Sequence, residues 1–391
     1  MPLQPLRIAF IGAGFVNFGG GEGPWDHASR LEQMPNVEVA AICDPDQARA
    51  TAQLERRKHG ARPDIYRNCR ILSGWRELLT GTRPDAAIIG LPPAAHGRMT
   101  GDGAVELAFA QAGIHMLIEK PLAVSDPAQV KELAAVLSTA RAASGNPLVT
   151  SVGYMLRYHN VVNELRALLG TSAAQGQTPC VFLGRYAAAY PFILSPSFWD
   201  ARQSGGPIIE QATHFVDLAR YLLGEIELDS IVAQQIGAQD PLGQLAAMPS
   251  SAAGRPLDEN TPADQRIPRA TIAQWRFTSG AMGSLAHGLL QHGKAYDTEL
   301  EVWADGLRAV LSDPYSDQCQ LQVRSGDFRS SPRPITGVND PYLAEMEAFL
   351  CAIRENRLDL IRSPYQDAAK TFEVTCRIAA ESGRKFGGDA T

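Results

Sequence analysis

The sequence predicts an α/β protein in two parts. Residues 1–150 read as a doubly wound parallel sheet, and residues 151–391 as an α/β domain with a large, mostly antiparallel open sheet. Three observations predict this. Short apolar runs alternate with helical stretches up to about residue 150, the pattern of a doubly wound sheet. Those runs are near-continuous rather than alternating, as expected of parallel strands covered on both faces. Beyond about residue 178 the pattern becomes alternating apolar and polar residues with turn signals, as in antiparallel strands.

The elements follow in order. Arg7–Ile11, Val37–Cys43, Ala86–Gly90, Ile114–Ile118 and Leu148–Val152 are the apolar strands. The clearest helix opens at Asp126-Pro127, with a capping carboxylate and a proline at the first helical position, and closes at Gly145. In the second part Thr271, Ala273, Trp275 and Phe277 alternate with Ile272, Gln274 and Arg276, and Thr278-Ser279-Gly280 turns the chain into Met282–Leu290. Glu299–Ala304 and Leu307–Leu311 flank Asp305-Gly306, a strong hairpin signal. Residues 237–265 read as a long loop, rich in Pro, Ala, Ser and Gly. Tyr342–Asn356 and Tyr365–Ser382 read as two closing helices, within 342–382.

Composition narrows the function classes. The formal net charge of −6 argues against nucleic acid as a partner, because nothing offsets phosphate repulsion across the chain. The sequence holds no apolar run long enough to span a membrane, so no membrane partner is expected. A strand starts almost at once, which leaves no room for a signal peptide. Six scattered cysteines form no Cys-x-x-Cys pair and no zinc spacing, so they read as reduced thiols of a cytoplasmic protein, with no metal.

A nucleotide site is expected where strands end. Gly12-Ala13-Gly14 follows the first strand, allowing a tight turn and close approach of a pyrophosphate, with Phe15 and Val16 next. The third glycine of the usual fingerprint is replaced by Asn17, whose side chain would hold helix and strand apart. A Gly-rich extension then occupies residues 18–26. Asp44 ends the second strand, where a carboxylate can accept hydrogen bonds from a ribose diol and repel a 2′-phosphate. This favours NAD(H) and leaves NADP(H) second, since Arg49 nearby weakens the preference. Asp44 stands farther from Gly14 than the usual ~20 residues, and the extension accounts for much of the excess. A turn before Pro45 is the plainer reading of Asp44. Leu91, Pro92 and His96 follow the third apolar strand, where nicotinamide and ribose would lie; His96 also suits a helix start. Glu119-Lys120-Pro121 ends the fourth, placing a lysine where open α/β sheets bind ligands.

Gly205-Gly206-Pro207 opens a helix to about Leu223, with Ile208, Ala212, Phe215, Ala219 and Leu222 on its buried stripe. Glu210, His214 and Asp217 fall on another stripe. A carboxylate beside an imidazole can hold its orientation, although a solvated polar face has the same pattern.

These residues together resemble the Gfo/Idh/MocA oxidoreductases. The matching segments are GAGFVN at 12–17, AICDPD at 41–46, DAAIIGLPPAAH at 85–96, GIHMLIEKPLA at 113–123, GYMLRYH at 153–159 and SGGPIIEQATHFVDLARYLLG at 204–224. The resemblance spans nearly the whole chain. It implies an N-terminal Rossmann domain and a second domain whose open sheet often mediates homo-oligomers, here a homodimer or homotetramer. It implies hydride transfer between NAD(P) and a carbinol carbon of a sugar, sugar derivative or cyclitol. Lys120 matches the family's active-site lysine and His214 its histidine. Glu210 stands where the family usually has aspartate, and Ala212 where many members have glycine, which marks a divergent branch.

The mechanism expected puts a substrate hydroxyl between Lys120 and His214. His214 is favoured as base, with Lys120 as its rival. Glu119 would face ribose, and Arg157, Tyr158, Trp199 and Arg202 would contact substrate or nicotinamide. Relatives that retain NAD while cleaving glycosidic bonds, or that reduce imines or enones, define a second reading. A non-catalytic NAD-binding protein is a third.

Overall fold

The chain divides into two compact units, Met1–Met155 with Tyr342–Ala369, and Leu156–Pro341 with Lys370–Thr391. The structure, a computed structural model, describes residues 4–20, 25–81, 83–193, 195–245, 261–290, 293–326, 333–335 and 339–383. Residues 21–24 of the Gly-rich extension and 246–260 of the expected long loop lie outside the described residues.

The first unit holds six strands: β1 (Leu6–Ile11), β2 (Val37–Cys43), β3 (Arg70–Leu72), β4 (Ala86–Ile89), β5 (His115–Ile118) and β6 (Thr150–Val152). All pairings are parallel, in the order β3-β2-β1-β4-β5-β6. This is the doubly wound order, with its reversal between β1 and β4. Ile8, Ala9, Phe10 and Ile11 are buried, which explains the unbroken apolar run. β3 escaped the sequence reading because it is three residues long and only Leu72 is buried.

The helices of this unit are α1 (Phe15–Phe18), α2 (His27–Leu31), α3 (Gln47–Lys58), α4 (Arg76–Thr80), α5 (Val105–Gln111) and α6 (Pro127–Thr139). Asp126 caps α6 by accepting from Ala128 N at 2.9 Å. The helix ends at Thr139 and not at Gly145. Ala140 turns extended and Arg141 pairs with Pro147, so Gly145 belongs to the turn between them.

In the second unit the strands are β7 (Pro179–Ala189), β8 (Val232–Ile236), β9 (Ala270–Arg276), β10 (Met282–Leu290), β11 (Tyr296–Ala304), β12 (Leu307–Ser312), β13 (Gln320–Ser325) and β14 (Arg333–Ile335). They form one sheet, β14-β13-β12-β11-β7-β10-β9-β8. Every pairing is antiparallel except β7 with β10. The expected hairpin closes at Asp305-Gly306, with Ala304 paired to Leu307. Thr271, Ala273, Trp275 and Phe277 face inward, and Ile272, Gln274 and Arg276 outward.

The helices here are α7 (Asn160–Ala174), α8 (Ala201–Ser204), α9 (Pro207–Glu210) and α10 (Thr213–Leu223). The chain closes with α11 (Pro341–Glu355) and α12 (Tyr365–Ser382). Met346, Phe349 and Leu350 of α11 join Ile8, Phe10 and Val39 in the first unit's core. Among the described residues no helix is long and apolar enough to cross a membrane. All six cysteines are free thiols, and burial pushes Cys69 and Cys319 up to about 12.

Three buried histidines make stability depend on pH. Burial pulls His115 and His159 down to about 4 and His287 to about 3. The neutral rings of His115 and His159 use Nδ1 to accept from Val149 N (2.9 Å) and Val161 N (3.1 Å). As pH falls below the ordinary value near 6.5, the unfolded chain takes up these protons first. Each histidine therefore removes about 1.4 kcal/mol of stability per pH unit until its folded pKa is reached. The urea midpoint should fall between about pH 7 and pH 5. It should fall less in His159→Asn, whose amide still caps α7 but does not titrate. Equal losses in both proteins would contradict this.

Candidate functional site

The first unit's site follows from strand register. Ile11 pairs with Cys43 and with Ile89, and Ile89 with Ile118. The next residues are Gly12, Asp44, Gly90 and Glu119. The ladder extends into them: Gly12 N donates to Cys43 O (2.8 Å), Gly90 N to Ile11 O (2.9 Å) and Glu119 N to Ile89 O (2.8 Å). One sheet edge therefore carries the glycine turn, the ribose-type carboxylate and the lysine motif. This is the edge where doubly wound sheets bind ligands.

The glycine turn is sterically required. Gly12 has φ +94°, and a Cβ there would lie 2.6 Å from Gly90 O. Nothing lies within 4 Å of a Cβ built on Gly14, and Phe15 is exposed. A cradle that closes on backbone at Gly12 and opens at Gly14 fits a dinucleotide's diphosphate. The helix that follows is a single turn, because α1 stops at Phe18 and Gly19 takes φ +74°. Asn17 does not hold helix and strand apart. Its buried Nδ2 donates to Gly12 O (2.7 Å) and Ile11 O (3.2 Å), so it shapes the turn from beneath.

Asp44 is buried and already serves three donors. Ala13 N donates to Oδ2 (2.7 Å), while Asp46 N (2.8 Å) and Arg49 Nη2 (2.7 Å) donate to Oδ1. It is thus more than a turn residue before Pro45, since it ties the glycine turn to the end of β2. The Arg49 side chain is 48 % exposed.

His96 is corrected. Its ring is 1 % exposed and turns inward, with Nδ1 2.6 Å from Glu106 Oε1. Gly97 N donates to Glu106 Oε2 (3.1 Å), so the pair fastens the loop after Leu91 and Pro92, while the other ring nitrogen, Nε2, is buried without a hydrogen-bond partner among the described residues. Glu119 is buried as well. It is 6 % exposed, and its Oε1 lies 2.6 Å from His27 Nε2. Sequence reasoning missed His27, because the contact spans 92 positions. Lys120 follows, half-buried, across a cis bond to Pro121.

In the second unit the expected single helix is broken. α9 ends at Glu210 and α10 begins at Thr213. Ala212 N reaches back five residues to Pro207 O (2.9 Å), a widened turn of the kind often found at functional sites. Glu210 and His214 therefore do not share one continuous helical stripe. His214 is 5 % exposed, and its ring stands edge-on to Tyr315 with centroids 5.6 Å apart. Tyr186 lies among Phe215, His287, Tyr296 and Tyr315. Burial, then the phenols of Tyr315 and Tyr296, then Glu210, push the Tyr186 hydroxyl well above its ordinary range. It stays protonated. Buried His287 is neutral and donates Nε2–H to Gln211 Oε1 (2.8 Å).

Asp217 is bound by an arginine. It takes both oxygens to Arg157, from Nε (2.7 Å) and Nη2 (2.6 Å), and Oδ1 also accepts from Thr371 Oγ1 (3.0 Å). Arg157 is thereby held in a buried ion pair. Tyr158 is buried, and its carbonyl accepts from Asn339 Nδ2 (3.1 Å). Trp199 is buried and lines a cavity of about 340 Å³ with Arg266, Ile267, Arg269 and Leu289. Arg202 is exposed and caps back onto Asp200, holding that carboxyl down at about 2. Among the described residues no group of three His, Cys, Asp or Glu side chains forms a metal cluster.

Two family models match the chain. One, for the oxidoreductase family with an NAD-binding Rossmann fold, matches residues 6–145, and one for an oxidoreductase C-terminal domain matches residues 157–307. An uncharacterized protein of Schizosaccharomyces pombe is 34 % identical over 386 residues, covering 96 % of this chain and 91 % of its own. The D-glucoside 3-dehydrogenase of Escherichia coli is 28 % identical over 257 residues, 62 % of each chain. A solved structure of levoglucosan dehydrogenase with NADH and levoglucosan has a TM-score of 0.72 at 20 % identity, covering 97 % of each chain, a likeness of fold.

Gly12→Ala tests the turn. An alanine at φ +94° whose Cβ meets Gly90 O should cost about 1–3 kcal/mol, read as a lower urea midpoint. An unchanged midpoint would show that the turn relaxes freely.

Proposed function

The chain belongs to the Gfo/Idh/MocA family of NAD(P)-binding oxidoreductases, and from that premise we propose its reaction and its residue roles. It transfers hydride between nicotinamide and a carbinol or carbonyl carbon of a sugar, sugar derivative or cyclitol. The observation that carries this reading is the common register that brings Gly12, Asp44, Gly90 and Glu119 to one sheet edge, with Lys120 next. The bound cofactor supplies the hydride acceptor or donor.

In this proposal the Gly12–Val16 turn takes the diphosphate, and Asp44 takes a ribose hydroxyl on its remaining lone pair. Leu91 and Pro92 wall the nicotinamide side. NAD(H) is favoured because a 2′-phosphate would meet the Asp44 carboxylate. NADP(H) is the second choice, with half-exposed Arg49 as its counter-ion. His214 removes the hydroxyl proton, and Lys120 donates a hydrogen bond to the oxygen left behind. Glu210 is the third catalytic residue, standing where the family usually has aspartate. Trp199 offers an apolar ring to a sugar, and Arg202 a guanidinium at the surface; Arg157, His96, Glu119 and Asn17 act by positioning.

We also read the protein as a cytoplasmic homodimer or homotetramer. Its six free thiols support the location. Val232, Ile272 and Met282, exposed on the neighbouring strands β8, β9 and β10, and Trp303, exposed on β11 beyond β7, support a covered sheet face.

Methyl β-D-glucopyranoside, levoglucosan and myo-inositol, each with NAD⁺ and NADP⁺, test the reaction through absorbance of the reduced nicotinamide. At least one should give net reduced cofactor, fastest with NAD⁺. Lys120→Met should lower kcat by about 10²–10⁴-fold while NADH binding changes less than about threefold. Full activity in that variant would refute the role of Lys120.

A further inference from the structure

The motif before Lys120 is held from one side by a histidine that no strand-end pattern accounts for. Glu119 Oε1 accepts from His27 Nε2 at 2.6 Å, and Glu119 Oε2 from the backbone N of Lys120 at 3.2 Å. The side chains of His27 and Glu119 are 2 % and 8 % exposed. Gly153, beyond the end of β6, makes room for this carboxylate. A Cβ there would stand 3.0 Å from the carboxyl carbon and from each oxygen. A buried carboxylate with its partner removed is costly, so the pair constrains both segments that carry it.

His27 is itself fixed. It is the first residue of α2, whose cap Asp26 accepts from Ser29 N at 3.0 Å. The same Asp26 carboxylate takes Arg57 Nη2 at 2.6 Å on both oxygens. Arg57 Nη2 also donates to Phe18 O at 3.0 Å. Phe18 and Asp26 lie on either side of the Gly-rich extension, so one guanidinium from α3 clasps both of its ends. Arg57 Nη1 reaches Glu32 at 3.3 Å, and Tyr66 donates to that same Glu32 oxygen at 3.0 Å. The chain of contacts runs Arg57–Asp26–His27–Glu119–Lys120.

We infer that His27 is a positioning residue for Lys120, and that the Arg57 clasp across the extension sets His27 in place. The imidazole holds the Glu119 carboxylate, which holds the backbone from which Lys120 projects. Proton transfer tolerates little displacement, since a misplacement of about 1 Å costs on the order of 10²-fold. The inference rests on the catalytic reading of Lys120 above.

The test reads the Lys120 amine directly. Folded protein is trace-labelled with acetic anhydride, and the rate at each lysine is followed by peptide mass spectrometry. His27→Leu should change the Lys120 rate by about threefold or more and leave the other lysines as they were. His27→Gln, whose amide can still donate to Glu119, should restore the wild-type rate. Arg57→Leu should shift Lys120 in the same direction by a smaller factor. Should His27→Leu fail to fold, His27→Asn, whose amide stops short of Glu119, takes its place. On any substrate turned over, His27→Leu should lower kcat about tenfold with NADH affinity nearly unchanged. An unchanged Lys120 rate in a folded His27→Leu protein would overturn the inference. A changed rate together with full activity in Lys120→Met would instead keep the positioning and refute the catalytic role.

Discussion

The first unit's site depends on one constraint, that β1, β2, β4 and β5 reach the same register row together. Side chains alternate across a strand, so slipping any strand by one residue would send its next side chain to the opposite face. Gly12 would then lose its approach to Gly90, and Asp44 its approach to Ala13 N. The row is held by packing. Ile8, Phe10, Val39, Ile42, Ile88 and Leu117 belong to one buried cluster, which α11 completes. A hydrophobic core thus determines where a few polar groups stand at its rim.

Those polar groups share a physical fate that alters their roles. A buried carboxylate cannot be left unpaired without a large desolvation cost. Asp44, Glu106, Glu119 and Asp217 are accordingly occupied by Ala13 N, His96, His27 and Arg157. Residues that strand-end position alone would assign to a ligand become the fittings that hold the ligand-facing backbone. Asp44 differs from the other three because Arg49, one of its partners, is half-exposed and can be exchanged for a ligand group.

Much of this was legible in the sequence, and the rest was not for identifiable reasons. The parallel strands were legible because burial on both faces leaves unbroken apolar runs. The hairpin was legible because Asp305-Gly306 is chemically suited to its turn. α12 begins and ends at Tyr365 and Ser382 as the periodicity predicts. The central strand β7 escaped, although it pairs on both sides, because Gly184, Arg185 and the small Ala187–Ala189 run blur its alternation. His27, Glu106 and the Arg157–Asp217 pair escaped because their contacts join distant segments, which no local pattern reports.

Two of the three places where helical periodicity failed are places where candidate site residues stand; the third is the early end of α6 at Thr139. A regular helix after β1 would have continued through Phe18, but Gly19 and Gly20 turn the chain away, and α2 restarts with His27 at its first position. A regular helix from Pro207 would have put Glu210 one turn below His214. The widened turn at Ala212 breaks that relation and leaves His214 beside Tyr315. Local rules are broken where a side chain must point somewhere the regular element would not send it. The broken rule is therefore itself a marker. Applied to this chain, it singles out the histidine at each restarted helix, His27 in one unit and His214 in the other, ahead of residues that merely fit their element.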